Sequence, residues 1–230
     1  MIAALNHTMD DKVLNPTCQT KPFKGAVYVQ GSFMNAATRR MFKSEGFDIV
    51  ESIEDSDIVV WTGGSDISPS LYNQKPTGCH SWSENRDKDD VDAVKRAGGR
   101  FKIGVCRGAQ LLNVIPNGGS LWQDVNKHGG SNHSVTDAVT GLGYIVNSLH
   151  HQQLVLTDKA ELVAYTNLST YKESQLGTWH HTDGVENKDV EAAYYPDTRS
   201  LCVQWHPEMG GNEDSTSYFF ELVGRYYLAA

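Results

Sequence analysis

The segment GVCRG at residues 104–108 places Cys106 two positions from a glycine on either side. An apolar run precedes this segment and a helix-like run follows it, so Cys106 lies where a strand turns into a helix. This is the spacing of a nucleophile elbow, in which glycines permit the sharp turn and the central side chain is exposed at its tip. The helix N-terminus also favours a thiolate there. The pattern indicates a cysteine nucleophile; a buried cysteine beside a glycine turn is the alternative.

A cysteine nucleophile needs a base and a group that orients the base. The segment QWHPE at 204–208 offers both, directly after an apolar run. Because His206 and Glu208 are two residues apart, their side chains lie on the same side of an extended segment. Pro207 disfavours a helix at this point. We interpret His206 as the candidate base and Glu208 as its orienter, and the alternative is a solvated turn after a strand.

The chain has 230 residues and a formal net charge of −8. That charge argues against non-specific nucleic-acid binding, which needs clustered Lys and Arg. Since there is no apolar run of about 18 residues and no secretory segment near Met1, we expect a cytoplasmic protein without membrane insertion. The cysteines lack Cys-x-x-Cys spacing and are predicted to be free thiols rather than disulfides. They are Cys18, Cys79, Cys106 and Cys202.

The predicted elements begin in β-α-β-β order, which favours an α/β fold with a largely parallel central sheet and helices on both faces. The second half is predicted to be β-rich and to close with an amphipathic helix at 213–228. The polar residues 1–24 are predicted to be an irregular extension, so that one domain spans 25–230. The other predicted segments are strands at 25–31, 47–50, 56–61, 101–105, 133–135, 143–147, 161–165, 190–195 and 200–205 and helices at 35–45 and 87–97.

Six segments in order resemble the class I glutamine amidotransferase-like superfamily, and within it the γ-glutamyl-γ-aminobutyrate hydrolase branch. The resemblance runs from about residue 25 to the C-terminus and implies a flavodoxin-like core. It also implies a triad of Cys106 as nucleophile, His206 as base and Glu208 as orienter. The segments are GGSDISPSLY (63–72), RD (86–87), GVCRGAQ (104–110), GGSLWQD (118–124), NSLHHQ (147–152) and VQWHPE (203–208).

The resemblance further implies an oxyanion hole made by the backbone N–H groups of Arg107 and Gly64. Gly64 lacks a Cβ, and Arg107 opens a helix whose first N–H groups are unpaired, so both suit that role. An ordinary turn is the alternative at Gly64. The glutamyl pocket is implied to be bordered by Gln110, Asn147, Ser148, His150 and His151; for the two histidines, local hydrogen bonds are the alternative.

This chemistry is acyl transfer and requires neither a metal nor another cofactor. The adjacent pair His180 and His181 would point to opposite faces of a strand, so we expect no metal site there. The resemblance implies a hydrolase of small γ-glutamyl amines, and a homodimer is compatible with it. One alternative is a glutaminase subunit that releases ammonia from glutamine for a partner synthetase. Another is a non-catalytic binding protein on the same scaffold.

Overall fold

The computed structural model of the chain describes residues 23–180, 187–211 and 213–228. Its helices are α1 (Asn35–Ser44), α2 (Glu84–Ala97), α3 (Arg107–Val114) and α4 (Glu213–Tyr227). Its strands are β1 (Ala26–Gln30), β2 (Asp48–Ile49), β3 (Ile58–Trp61), β4 (Phe101–Val105), β5 (Ser120–Trp122), β6 (Asp124–Val125), β7 (His133–Asp137), β8 (Gly143–Val146), β9 (Gln153–Val155), β10 (Glu161–Thr166), β11 (Tyr171–Ser174), β12 (Gly177–His180), β13 (Asp189–Tyr195) and β14 (Ser200–Val203).

Nine strands form the central sheet in the order β2-β1-β3-β4-β14-β13-β10-β7-β8. The strands from β2 to β14 pair in parallel, and those from β14 to β8 pair antiparallel. Two smaller sheets, β12-β11-β6 and β5-β9, lie outside it. The predicted α/β, flavodoxin-like class is therefore confirmed, with parallel strands from the β2 edge to β14 and the β-rich second half extending the sheet.

Helices cover both faces of the sheet because alternate residues of each strand point to opposite sides. Phe42 of α1 and Phe219 of α4 are fully buried on one face, with ring centroids 5.8 Å apart. On the other face, α2 and α3 bury Val94 and Leu111 against β3. Burying each such side chain contributes about 1.5–3 kcal/mol. This packing fixes α3, and with it the elbow, against the sheet.

Most of the predicted elements recur, with two differences. Helix α2 begins at Glu84 rather than at residue 87, because Ser83 caps it by accepting a hydrogen bond from the backbone N–H of Arg86 (3.4 Å). The sequence did not predict β5, β6, β9, β11 and β12, which have only two to four residues each. Such short strands carry too few residues for a period-two pattern to show.

The predicted N-terminal extension lies almost wholly outside the described residues. Phe23, at its end, is buried and stacks on Phe47 at 5.0 Å between ring centroids. His181 also lies outside the described residues, so the prediction for the His180–His181 pair stays a prediction. Across the part of the chain that the structure describes, no helix has both the length and the apolar character that a membrane span needs.

Candidate active site

Cys106 forms the junction between β4 and α3, with φ +51° and ψ −109°. A non-glycine residue at positive φ is strained, which is a feature of functional turns. The flanking glycines are required by close approach: a Cβ at Gly104 would collide with the backbone of Gly108, and one at Gly108 with the carbonyl of Trp61. The Gly-x-Cys-x-Gly spacing is therefore the condition for this elbow to close against the neighbouring strand.

His206 reaches the same edge of the sheet because β14 runs parallel to β4, with Val203 opposite Val105. Ligand sites of open α/β sheets form at such carboxyl ends. Nδ1 of His206 lies 2.8 Å from Oε1 of Glu208, and both side chains are buried. Asn147 holds the His206 backbone from both sides, accepting from its N–H at 2.8 Å and donating to its carbonyl at 2.7 Å.

The environment of His206 favours its protonated form. Burial alone would lower its pKa, but hydrogen bonding and charge from Cys106 and Glu208 outweigh burial and raise the pKa to about 10. Cys106 and Glu208 therefore both stabilise a positive charge on the imidazole. An imidazolium held in this way can donate a proton to a leaving group.

The Gly63–Gly64 turn follows β3 and lies against His206. A Cβ at Gly63 would come within 2.6 Å of Cε1 of His206, so only glycine fits beside the ring. Gly64 has φ +142°, and a Cβ there would collide with the guanidinium of Arg86. Nη2 of Arg86 donates to the carbonyls of Thr62 (3.1 Å) and Gly63 (2.7 Å), which fixes the turn.

The side chain of Arg107 points away from the elbow into a buried ionic network. Its Nη2 lies 2.6 Å from Oδ1 of Asp87, and its Nη1 lies 2.5 Å from Oδ2 of Asp90. The other oxygen of Asp87 accepts from the backbone N–H of Ser68 at 3.0 Å. Burial raises the pKa of Asp87, although Ser68 and Arg107 counteract this. Because the guanidinium is 1% exposed, the group of Arg107 that belongs to the elbow is its backbone N–H.

The segment at 147–152 passes directly beside the cysteine, and the carbonyl of Leu149 lies 3.9 Å from Sγ of Cys106. The side chains around it have internal partners. Ser148 Oγ donates to the carbonyl of His128 at 2.7 Å, and the buried ring of His150 lies 3.1 Å from Nε2 of Gln204. As substrate contacts, Asn147, Ser148 and His150 stay predictions.

His151 and Gln110 differ from each other in exposure. His151 is half-buried: its Nε2 lies 2.9 Å from Oδ1 of Asp66, and its ring stacks on His80 at 4.0 Å between centroids. Burial opposes protonation of His151, but the hydrogen bond and charge of Asp66 raise its pKa. Gln110 is buried and donates to the carbonyl of Gln152 at 3.4 Å. Of these two predicted pocket residues, His151 therefore has the more accessible side chain.

Three apolar side chains of the site region were not predicted from the sequence. The ring of Phe33 lies 5.8 Å from that of His206 and is 38% exposed. Leu149, whose carbonyl lies beside Cys106, is also exposed. So is Met209, which follows Glu208 in the chain. Phe33 follows β1, so the rule that sites form at the carboxyl ends of parallel strands could have indicated it.

The fold and this arrangement of a cysteine elbow, a histidine and a carboxylate define a member of the class I glutamine amidotransferase-like superfamily. The sequence profile of the family described as Peptidase C26 matches residues 40–208, and the chain belongs to that family. The family and the relatives below make this chain a glutamine amidotransferase-like hydrolase.

Two relatives and one solved structure show the range of similarity. The glutamine amidotransferase-like protein YvdE of Lactococcus lactis is 34% identical over 174 residues, covering 66% of this chain and 66% of its own length. Protein NtpR of Enterococcus hirae is 29% identical over 233 residues, covering 86% of this chain and 89% of its own length. A solved structure from Thermoplasma acidophilum, described as one subunit of a GMP synthase, has 16% identity and a TM-score of 0.58, and the match covers 89% of this chain and 94% of that one. The last comparison shows the fold alone.

Proposed function

We propose that this protein hydrolyses the γ-glutamyl amide bond of small γ-glutamyl amines through a thioester on Cys106. The observation that carries the proposal is the buried contact of 2.8 Å between His206 and Glu208 at the strand end beside the strained elbow, where hydrogen bonding and charge from Cys106 help to raise the pKa of His206. This is the relation of nucleophile, base and orienter that covalent acyl transfer needs. The resemblance of the segments at 63–72, 118–124 and 147–152 supports γ-glutamyl compounds as the substrates.

In the first half of the reaction, the Cys106 thiolate attacks the γ-carbonyl carbon, and the C=O electron pair moves onto oxygen. The backbone N–H groups of Arg107 and Gly64 donate to this oxyanion. When the oxyanion collapses, the C–N bond breaks and His206 transfers its proton to the leaving amine. Each such oxyanion donor contributes about 10²–10³ in rate.

In the second half, a water molecule attacks the thioester carbonyl while the neutral His206 accepts a proton from the water. Collapse of the second tetrahedral intermediate breaks the C–S bond and releases glutamate and the Cys106 thiolate. Glu208 holds the imidazole in one orientation during both halves and stabilises its charged form. The cycle ends with the ion pair with which it began.

The second candidate function is a glutaminase subunit that supplies ammonia to a synthetase. It is supported by the amidotransferase-like name of the Lactococcus relative, whose activity is not transferred to this chain by similarity alone. A non-catalytic binding protein is a weaker candidate, since the buried His206–Glu208 pair serves no structural purpose that an apolar pair would not serve better. A homodimer and a cytoplasmic location stay predictions.

The experiment that separates these functions measures glutamate release from a panel of γ-glutamyl amines and from glutamine. We expect the wild type to turn over at least one γ-glutamyl amine without a partner, Cys106→Ala to lose the activity, and Cys79→Ala to retain it. Activity on glutamine only, rising when a synthetase is added, would establish the glutaminase instead. Equal turnover by wild type and Cys106→Ala would overturn the thioester.

A further inference from the structure

Three buried imidazoles lie around one buried carboxylate oxygen at the antiparallel side of the candidate site. Oε1 of Glu191, on β13, lies 3.2 Å from Nδ1 of His128 and 3.2 Å from Nε2 of His133. Nε2 of His150 lies 3.7 Å from the same oxygen. The four residues come from four separate segments of the chain, and all are shielded from solvent. None of them is used in the acyl-transfer chemistry.

The contact of 3.2 Å between His133 and Glu191 is at the long limit of a hydrogen bond, and both separations of 3.2 Å also suit ligands that surround an ion. Zinc binds histidine nitrogen and carboxylate oxygen at about 2.0–2.2 Å in tetrahedral geometry, which sets neighbouring ligand atoms about 3.3–3.5 Å apart. A charge-assisted hydrogen bond would be shorter, at about 2.7–2.9 Å. Among the described residues, Nε2 of His150 and Oε2 of Glu191 have no hydrogen-bond partner. Buried polar atoms left in this way point to a further occupant.

The ring of His128 also has the outer partner that is typical of a metal ligand. Its Nε2 lies 3.3 Å from Oδ2 of Asp189, while Nδ1 faces the cluster. Asp189 is itself held by Nζ of Lys172 at 2.8 Å and by the backbone N–H of Ser169 at 2.6 Å. A carboxylate that fixes the far nitrogen of a ligating histidine orients the ring and raises its basicity.

We propose that His128, His133 and Glu191 bind one divalent transition-metal cation, with Zn²⁺ as the best fit. Two imidazoles and one carboxylate in a buried site match the nitrogen and oxygen ligands that zinc prefers, and a fourth ligand would complete its coordination. The cation would tie His128 to β13, and the segment at 147–152 is bound to His128 because the backbone N–H of His150 donates to the His128 carbonyl at 3.0 Å. That segment carries the Leu149 carbonyl beside Cys106. The proposed site is therefore structural, and it is independent of which amine the enzyme releases.

The test is the metal content of the full chain, produced without a polyhistidine tag in medium supplemented with zinc and measured by inductively coupled plasma mass spectrometry. We expect about one zinc per chain, with folding and metal binding coupled. His133→Ala and Glu191→Gln should reduce the content at least tenfold. His180→Ala, which removes an exposed histidine on β12, is the matched control and should retain the zinc.

A second readout keeps the proposal testable if the cluster variants fail to fold. Wild-type chain refolded with Co²⁺ in place of zinc should show the intense visible absorption of a tetrahedral site, and added zinc should abolish it. If the wild-type chain contains no metal after it has been supplied with zinc, the proposal is overturned. The side chains then form a hydrogen-bonded cluster instead of a metal site. Full zinc retention in His133→Ala would also overturn it, because the ion would then lie elsewhere, as at His80, Asp124 and His151.

Discussion

Arg86 and Arg107 contact the same carboxylate oxygen, Oδ2 of Asp90, at 3.4 Å and 2.5 Å. Arg86 fixes the turn that carries Gly64, and Arg107 follows Cys106, the proposed nucleophile. The carboxylate of Asp90 therefore joins the two backbone segments that supply the proposed oxyanion donors. Such positioning must hold groups to within about 0.5 Å to be effective.

Arg86 is predicted to act as a positioning residue for the oxyanion turn. Arg86→Lys keeps the positive charge but replaces the planar guanidinium with an ammonium group. Lysine therefore cannot reproduce the paired hydrogen bonds to the carbonyls of Thr62 and Gly63. We expect kcat to fall about 10²-fold while KM changes little, since the oxyanion forms only on the reaction path. Arg96→Lys, the same substitution at an exposed position of the same helix, is the matched control. A rise in KM with unchanged kcat would contradict this role.

Asp90→Asn is predicted to destabilise the fold, because it leaves the buried guanidinium of Arg107 without one of its two counter-charges. Breaking one side of a buried ion pair costs about 3–5 kcal/mol. The exposed neighbour Asp89→Asn should change the free energy of unfolding by less than about 0.5 kcal/mol. Urea unfolding of both variants measures the difference. Equal stabilities would show that the network does not depend on Asp90.

Gly63→Ala is predicted to lose activity because the new Cβ would lie 2.6 Å from Cε1 of His206 and displace the ring. A misplaced catalytic group can cost about 10² in rate. Gly99→Ala is a matched control, since a Cβ at Gly99 would have no heavy atom within 4 Å. Steady-state kinetics on the substrate found in the screen would show the contrast. Similar rates for the two alanine variants would contradict the claim that a Cβ at position 63 displaces the His206 ring.

The protonation of His206 is predicted to link stability to pH. Burial lowers its pKa, but Cys106 and Glu208 outweigh burial and raise it from 6.5 to about 10. Because the folded-state pKa is raised, the stabilisation is fully present below pH 6.5 and is lost as the pH rises through about 10. Glu208→Gln removes one of the two partners, so the loss should move to lower pH.

The measurement is the urea midpoint of wild type and Glu208→Gln across this pH range, together with a nuclear magnetic resonance titration of the His206 ring. The ring titration assigns the transition to one histidine among the nine of the chain. An unchanged His206 pKa in the variant would contradict the proposed contribution of Glu208.

The sequence predicts those parts of the site whose residues lie close together in the chain. The elbow around Cys106 and the pair His206 and Glu208 are local patterns, and the structure places them at neighbouring strand ends. The closing helix α4 is also predictable because it is long enough to show a clear apolar period, and β3, β4 and β14 are predictable because each is a continuous, fully buried run.

The rest depends on contacts between distant segments. Ser148 and His150 have internal partners because His128 and Glu191 lie beside them in space, which no local pattern indicates. Likewise, the RD segment was found in the sequence, but the carbonyls that Arg86 binds become evident only when β3 and α2 are packed together.

The central claim is that Cys106 carries the γ-glutamyl group, and rapid acid quenching followed by peptide mass spectrometry tests it most directly. During turnover of a γ-glutamyl amine, the peptide that contains Cys106 should gain the mass of one γ-glutamyl group. Peptides with Cys79 or Cys202 should remain unmodified. The adduct should accumulate when His206→Ala slows hydrolysis more than acylation. Turnover at the normal rate with Cys106 unmodified, or with Cys106 replaced by alanine, would contradict the account.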